Sequence, residues 1–460
     1  MTDEGRRLQI EKALKARDDD PPSDRPSHPL RWRGKEKYFP VIDLPTDAVL
    51  LNAESHRIRA ELEAPEYEFV RKERTSARAQ DALANLWQKA HRKFDKLKES
   101  LQVEGQTEPG VITREGLLVN GNTRLVALRE LGRPWIRVAV LDSDARPFEI
   151  ADLELRLQVR ETGHDTYRLS NELLFIDEMR TEYGKSDEEI ATALNWAPTR
   201  PAVGKKKVAM YHRLLQLVRE LQRRDRALPI TFFDDEGRGS GKLQQLKELE
   251  QAYSADVAAG DMAAAEQRLD VWLLLARSGY DSVHQIRPAV RRDDFLPDYL
   301  IPALAEQEPL RGHAERLAES DTGPDPELEG LELLGGPAGD TEHRSGLAPL
   351  LSLVEAGDGV DVNLPGADSP VNADAAKAAV RTAIKQALRL IDRDDQAEDE
   401  LNAPVDALRN AARELKEARA LYAELQGTHD FEQQSRGPFE YQTRQVKKAL
   451  RDLEDLIARG

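Results

Sequence analysis

The chain has 460 residues, 33% of them charged and 40% hydrophobic, with no cysteine and a formal net charge of −17. One hydrophobic core seldom organises more than about 250 residues, so several modules are expected, and the lack of thiols excludes a disulfide framework, a thiolate metal site and a cysteine nucleophile. No apolar run approaches the roughly 20 residues of a membrane span, and the N-terminus lacks the basic-then-apolar pattern of a secretory signal, which points to a cytoplasmic protein with no membrane partner.

Residues 1–37 read as a polar, Pro-bearing and flexible lead. Ordered pattern begins at "YFPVIDLPTDAVLLN", where β-branched and aromatic residues around Phe39 to Ile42 predict a strand ending at a turn. Between 68 and 102, Leu83, Leu86, Trp87, Phe94, Leu97 and Leu101 recur at helical spacing and predict one long or two short helices. Two short apolar runs flank Arg114-Glu115-Gly116, followed by the helix "TRLVALRELG" and the β-like "IRVAVLD". Residues 38–149 are thus expected to form an α+β domain with the order strand, strand, helix, strand.

Residues 150–226 and 227–312 read as two helical domains, with "PITFF" the main strand-like run. Residues 313–374 are expected to be an acidic linker, since Glu319 to Asp374 carry 13 acidic side chains against Arg344 alone. In 375–460, Leu408, Leu415 and Tyr422 recur every seven residues, and Phe439, Val446 and Leu453 repeat that spacing. This predicts a C-terminal helical hairpin, packed as an intramolecular bundle or as a coiled coil with a partner.

Two segments point to chemistry. Gly121-Asn122-Thr123-Arg124 places a small turn after an apolar strand and before a helix, and a helix N-terminus offers unpaired N–H groups and the positive end of its dipole to an anion. Gly121 permits close backbone approach, Asn122 or Thr123 is a candidate cap, and Arg124 supplies a charged fork. The second segment starts with Ser186 and Glu189, a capping box before Ile190, Ala193 and Leu194. After Pro198 and Pro201 a second helix carries the stripe Val208, Tyr211, Leu214, Leu215 and Val218, with Lys205, Lys206 and Lys207 at its start. That order predicts a helix-turn-helix, with Arg200, Lys205, Lys206, Lys207 and Arg213 as candidate DNA contacts. The whole-chain charge argues against a protein wrapped in nucleic acid, but residues 185–226 hold ten basic against five acidic side chains.

Weaker signals have plainer readings. Gly184-Lys185-Ser186 ends like a phosphate loop, yet Met179 stands where its first glycine belongs, so it reads as a helix start. His164-Asp165 reads as a turn and cap, and Phe232-Phe233-Asp234-Asp235-Glu236 as a surface loop anchored by its rings.

From Phe39 to Leu221 the order of these features resembles the ParB-like family, whose N-terminal fold is shared with sulfiredoxin. Gly105-Gln106 with Pro109 is similar to the family's first motif, Gly121 to Arg124 to its Gly-x-x-Arg phosphate motif, and Gln158 to the Gln of its third, with Arg160 one place beyond the usual Arg. The resemblance implies a ParB/sulfiredoxin-like domain followed by a helix-turn-helix in a bacterial DNA-associated protein. It implies a nucleoside triphosphate, CTP or ATP with or without Mg2+, held by Gln106, Gly121, Asn122, Thr123, Arg124, Gln158 and Arg160. Leu155 and Arg156 stand where partition proteins place a Glu and a metal-holding Asn, and Thr123 and Val126 replace further arginines, so binding is implied more than metal-assisted hydrolysis. Sulfiredoxin chemistry is excluded by the absence of cysteine. The expected role is a nucleotide switch or recruitment factor that touches DNA and forms a homodimer or recruits a partner through its C-terminal helices. The alternatives are an NTPase or nuclease component of a DNA-modification or phage-defence system, and a scaffold with a vestigial pocket.

Overall fold

The computed structural model describes residues 2–91, 93–161, 168–196, 199–234, 241–280, 282–320, 346–357, 359–367, 369–428 and 431–459, with the backbone alone at 155, 158–161, 320, 398, 399 and 459. Contacts divide the chain into two units, Met1–Lys385 and Gln386–Gly460.

The first unit opens with α1 (Asp3–Asp19), β1 (Ser27–Trp32) and β2 (Lys35–Pro45). Helices α2 (Arg59–Leu62), α3 (Glu68–Lys72), α4 (Ala77–Ala90) and α5 (Phe94–Glu104) then precede β3 (Gly110–Ile112), β4 (Leu118–Asn120), α6 (Asn122–Glu130) and β5 (Trp135–Val140). The strands form one sheet in the order β1-β2-β5-β3-β4, antiparallel except for the β3–β5 pair, in which Gly110 faces Val138. One face buries Ile42, Leu44, Ile136 and Val138 under Leu83 and Trp87 of α4, Leu101 of α5, and Leu125 and Val126 of α6. The other buries Val41, Val111, Val119 and Ala139 against Leu153 of α7 (Pro147–Glu161). Burial on both faces explains why β5 reads as an unbroken apolar run from Val138 to Val140, without the alternation of a half-exposed strand.

Residues 1–37, expected as a flexible lead, belong to the fold. Ile10 and Leu14 of α1 are buried in the same cluster as Ile42 and Leu44, and Leu30 and Trp32 of β1 join the core of the opposite face. A helix that buries two large apolar residues four positions apart, among mostly charged neighbours, leaves too thin a stripe to stand out in the sequence.

Beyond the sheet the unit is helical: α8 (Leu169–Thr181), α9 (Asp187–Ala193), α10 (Pro201–Arg224), α11 (Lys242–Ala259), α12 (Met262–Arg277), α13 (Val283–Arg291), α14 (Ile301–Ala305), α15 (Arg311–Ser320) and α16 (Ala348–Glu355). The run "PITFF" forms a 3-10 turn over Ile230–Phe233, with Phe233 stacked on Trp272 at 5.6 Å between ring centres. Ring burial directs this segment, and no ladder partner is needed. The described part of the expected acidic linker is also structured: α16 buries Leu350 and Leu353, and a small hairpin joins β6 (Asp361–Val362) to β7 (Val371–Asn372). Residues 321–345 lie outside the described residues.

The C-terminal helices are α17 (Ala373–Leu425) and α18 (Arg436–Arg459). In the second unit Tyr422 stacks on Phe439 at 4.7 Å, with Phe431 edge-on to Tyr422 at 5.6 Å, so these rings close the turn between them. The heptad residues Leu408 and Leu415 are 45% and 44% exposed, so this part of the stripe lies on the surface of α17, while Tyr422 packs on α18. No described helix is long and apolar enough to cross a membrane.

Candidate functional site

The β3–β4 hairpin delivers the chain to a turn in which Gly121 has φ +96 and ψ 14 and forms the N-cap of α6. A Cβ there would lie 3.2 Å from the Gly110 Cα and 3.4 Å from Nη1 of Arg124, so the position requires glycine both for its backbone angle and for space. Arg124 therefore folds its guanidinium back beside the turn, adding a cation at the positive end of the α6 dipole.

Among the described residues no side chain caps α6, which corrects the expectation that Asn122 or Thr123 would do so. The physical reason is that Asn122 is committed elsewhere. Its Oδ1 accepts the N–H of Asn52 at 2.9 Å and its Nδ2 donates to the Leu118 carbonyl at 3.4 Å, so the side chain braces the turn from behind. Thr123 is buried. The turn thus leaves backbone donors and Arg124 as the groups suited to an anion.

Gln106 is a clamp on the central strand. It accepts the N–H of Arg137 at 2.8 Å and donates to the Arg137 and Glu108 carbonyls at 2.7 and 2.9 Å. Since Arg137 precedes Val138, the partner of Gly110, Gln106 and Gly121 reach the same end of the β3–β5 pair, although the Gln106 amide is occupied by backbone. Gln158 and Arg160 lie on α7, and their side chains are outside the described residues, as are His164 and Asp165. Arg156 forms a two-pronged pair with Asp152 at 2.8 and 3.2 Å along α7.

Behind the turn, the loop that carries Asn52 leads into a buried polar network with no counterpart among the residues singled out from the sequence. Ser55 donates to Glu154 of α7, and the ring nitrogens of His56 face Glu154 at 3.4 Å and Glu178 of α8 at 3.0 Å. Arg59 also pairs with Glu178, and Phe175 lies edge-on to His56 at 5.0 Å. Ser55, His56 and Glu154 are almost fully buried, so this network ties the sheet to the helices. The mostly polar run Asn52-Ala53-Glu54-Ser55-His56 directly after the apolar Val49-Leu50-Leu51 is its sequence signal.

In the basic segment, Ser186 accepts the Glu189 N–H at 3.3 Å while Glu189 accepts the Ser186 N–H at 2.9 Å, the expected capping box. These donors and Lys185 hold the Glu189 carboxyl at about 2, well below the usual range. Ile190, Leu194, Val208, Tyr211, Leu214, Leu215 and Val218 are all buried. At Gly204 a Cβ would be 2.6 Å from the Trp196 carbonyl, so α10 passes close to the connection from α9. Pro198 lies outside the described residues.

The five candidate DNA contacts divide here. Arg200, Lys205 and Lys206 are exposed. Arg213 is exposed but paired with Glu250 of α11 at 2.6 Å, and Lys207 turns inward over the Trp196 ring at 3.6 Å. Lys207 and Arg213 thus already meet a ring and a carboxylate within the fold. Asp234, from the acidic cluster, accepts the Ser170 N–H at 2.9 Å and its hydroxyl at 2.7 Å, at the start of α8, and so serves that helix. Residues 235–240 are outside the described residues.

No family model matches the chain, and no curated protein matches it. Among solved structures it is similar to the C-terminally truncated chromosome-partitioning protein ParB from Caulobacter crescentus complexed with CTP-gamma-S. That match has 16% identity and a TM-score of 0.17, and covers 49% of this chain and 97% of the other. A Pnob8-like ParB-N domain matches with 14% identity and a TM-score of 0.28, covering 49% of this chain and 84% of the other.

Proposed function

We propose that the chain binds a nucleoside triphosphate through the Gly121–Arg124 turn of a ParB-like N-terminal domain, contacts DNA through the α9–α10 pair, and acts as a switch or recruitment factor. The observation that carries this reading is the N-terminus of α6, which no described side chain caps, and where Gly121 admits close approach and Arg124 folds beside it. A phosphate there gains several backbone hydrogen bonds and a charged fork at once.

The residues present fit a phosphate better than a metal ion. Arg156 stands where the family resemblance calls for a metal-holding side chain, and it is paired with Asp152. Binding of CTP or ATP is therefore proposed without a hydrolytic step, and Mg2+ would arrive with the phosphates. Arg200, Lys205 and Lys206 are the side chains proposed to meet a DNA backbone. The exposed Leu408, Leu415, Leu421 and Leu425 of α17 are proposed to be covered by a second copy of the chain.

Calorimetric titration with CTP, ATP, GTP and UTP in the presence of Mg2+ tests the nucleotide site. Wild type is expected to show saturable binding of at least one. Arg124→Ala is expected to weaken it about ten- to hundredfold, the loss of one or two charge-assisted hydrogen bonds. Equal affinity in wild type and variant would refute the assignment.

A further inference from the structure

The three lysines at the head of α10 do not share one environment. Lys205 and Lys206 are exposed. Lys207 places Nζ 3.6 Å from the centre of the Trp196 ring and 5.2 Å from that of Tyr211, and the two rings meet edge to face at 4.9 Å. Buried Glu172 of α8 attracts Lys207, while Lys247 of α11 repels it.

Trp196 is itself held at other points. Its N–H donates to the Ala191 carbonyl at 2.8 Å, and its own carbonyl lies against Gly204. The preceding Asn195 has φ +54, the left-handed turn that asparagine commonly takes just past a helix end, and its N–H donates to the Thr192 carbonyl at 3.1 Å. Lys207 and Tyr211 are the side chains of α10 that reach the Trp196 ring.

We propose that Lys207 is a positioning residue: with Trp196 and Tyr211 it latches the chain at the end of α9 onto α10, leaving Lys205 and Lys206 to present the cationic surface. The second half rests on the DNA-contact reading above; the latch itself does not. An ammonium over an indole contributes about 0.5–2 kcal/mol depending on how far it is desolvated, so the latch is strong enough to bias a short loop and weak enough to leave the fold intact without it.

The test uses the full chain with four changes: Lys207→Met, which keeps the apolar stem and loses the charge; Lys207→Arg, which keeps a cation able to stack; Trp196→Leu; and Lys205→Ala with Lys206→Ala. Hydrogen exchange in peptides spanning 191–204 is expected to speed up about two- to tenfold in Lys207→Met and Trp196→Leu and to return to wild type in Lys207→Arg. Retention of a mixed-sequence DNA duplex is measured against salt. The Lys205/Lys206 double variant is expected to lower the salt slope by about two, and Lys207→Met to leave it unchanged.

A Lys207→Met variant that lowers the slope by about one while exchange stays at wild type makes Lys207 a phosphate contact and overturns the latch. Identical exchange in the Met and Arg variants overturns it as well. Failure of the wild type to retain DNA removes the DNA-contact reading, and the exchange comparison still decides the latch.

Discussion

Replacing His56 with alanine is expected to destabilise the first unit by about 3–5 kcal/mol, the combined cost of a buried cavity and of buried polar groups left without a partner. His56 lies between Glu154 and Glu178 with a ring nitrogen toward each, at 3.4 and 3.0 Å. Alanine would leave Glu154 with Ser55 as its described donor, and would open a space against Phe175. The measurement is the urea midpoint followed by far-ultraviolet circular dichroism. Adding Glu154→Gln should recover part of the loss, since an amide can donate as well as accept in the space the ring leaves. A loss below about 1 kcal/mol for His56→Ala would mean that the network does not bind sheet to helices as described.

Glu172→Gln is expected to stabilise the chain by about 3 kcal/mol above pH 7 and to leave it unchanged near pH 4. Burial in α8 pushes the Glu172 carboxyl up to about 7, against an unfolded value near 4.5, while Lys207 draws it back. The folded state therefore holds this proton more tightly than the unfolded chain. Below both values the group contributes nothing; between about 4.5 and 7 the unfolded chain releases the proton first, so stability falls as pH rises, and above 7 it is level again. Each unit of difference corresponds to about 1.4 kcal/mol. Glutamine cannot ionise, so the wild-type minus variant difference isolates this one group from all others that titrate. Urea midpoints at pH 4, 5.5, 7 and 8 check it: parallel curves for the two proteins would refute the burial argument.

The parts of the fold legible in the sequence are those written in periodicity. The strand, strand, helix, strand order at 110–140 and the buried stripe Val208, Tyr211, Leu214, Leu215 and Val218 both follow apolar spacing, and the Ser186–Glu189 box follows capping chemistry. Three kinds of information were not written there. The fold of residues 1–37 rests on isolated apolar side chains, such as Ile10 and Leu14, whose importance depends on distant strands. The direction a lysine takes is set by what lies beside it: Lys205, Lys206 and Lys207 are identical in sequence, and only the last has Trp196 and Tyr211 within reach. Buried polar groups carry no periodic signal at all, so the Ser55, His56, Glu154 and Glu178 network stayed hidden although it adjoins the turn that the sequence did mark. At that turn Gly121 and Arg124 could be picked out from local chemistry, whereas the bonds of Asn122 to Asn52 and of Gln106 to Arg137 depend on segments distant in the chain.

The central claim is that the α6 N-terminus receives a phosphate, and amide hydrogen exchange at Asn122, Thr123 and Arg124 tests it most directly. On the full chain with Mg2+, at least one nucleoside triphosphate is predicted to slow exchange at these amides, and Arg124→Ala to abolish the slowing. Unchanged exchange there, at nucleotide concentrations that saturate whatever binding calorimetry detects, would contradict the account.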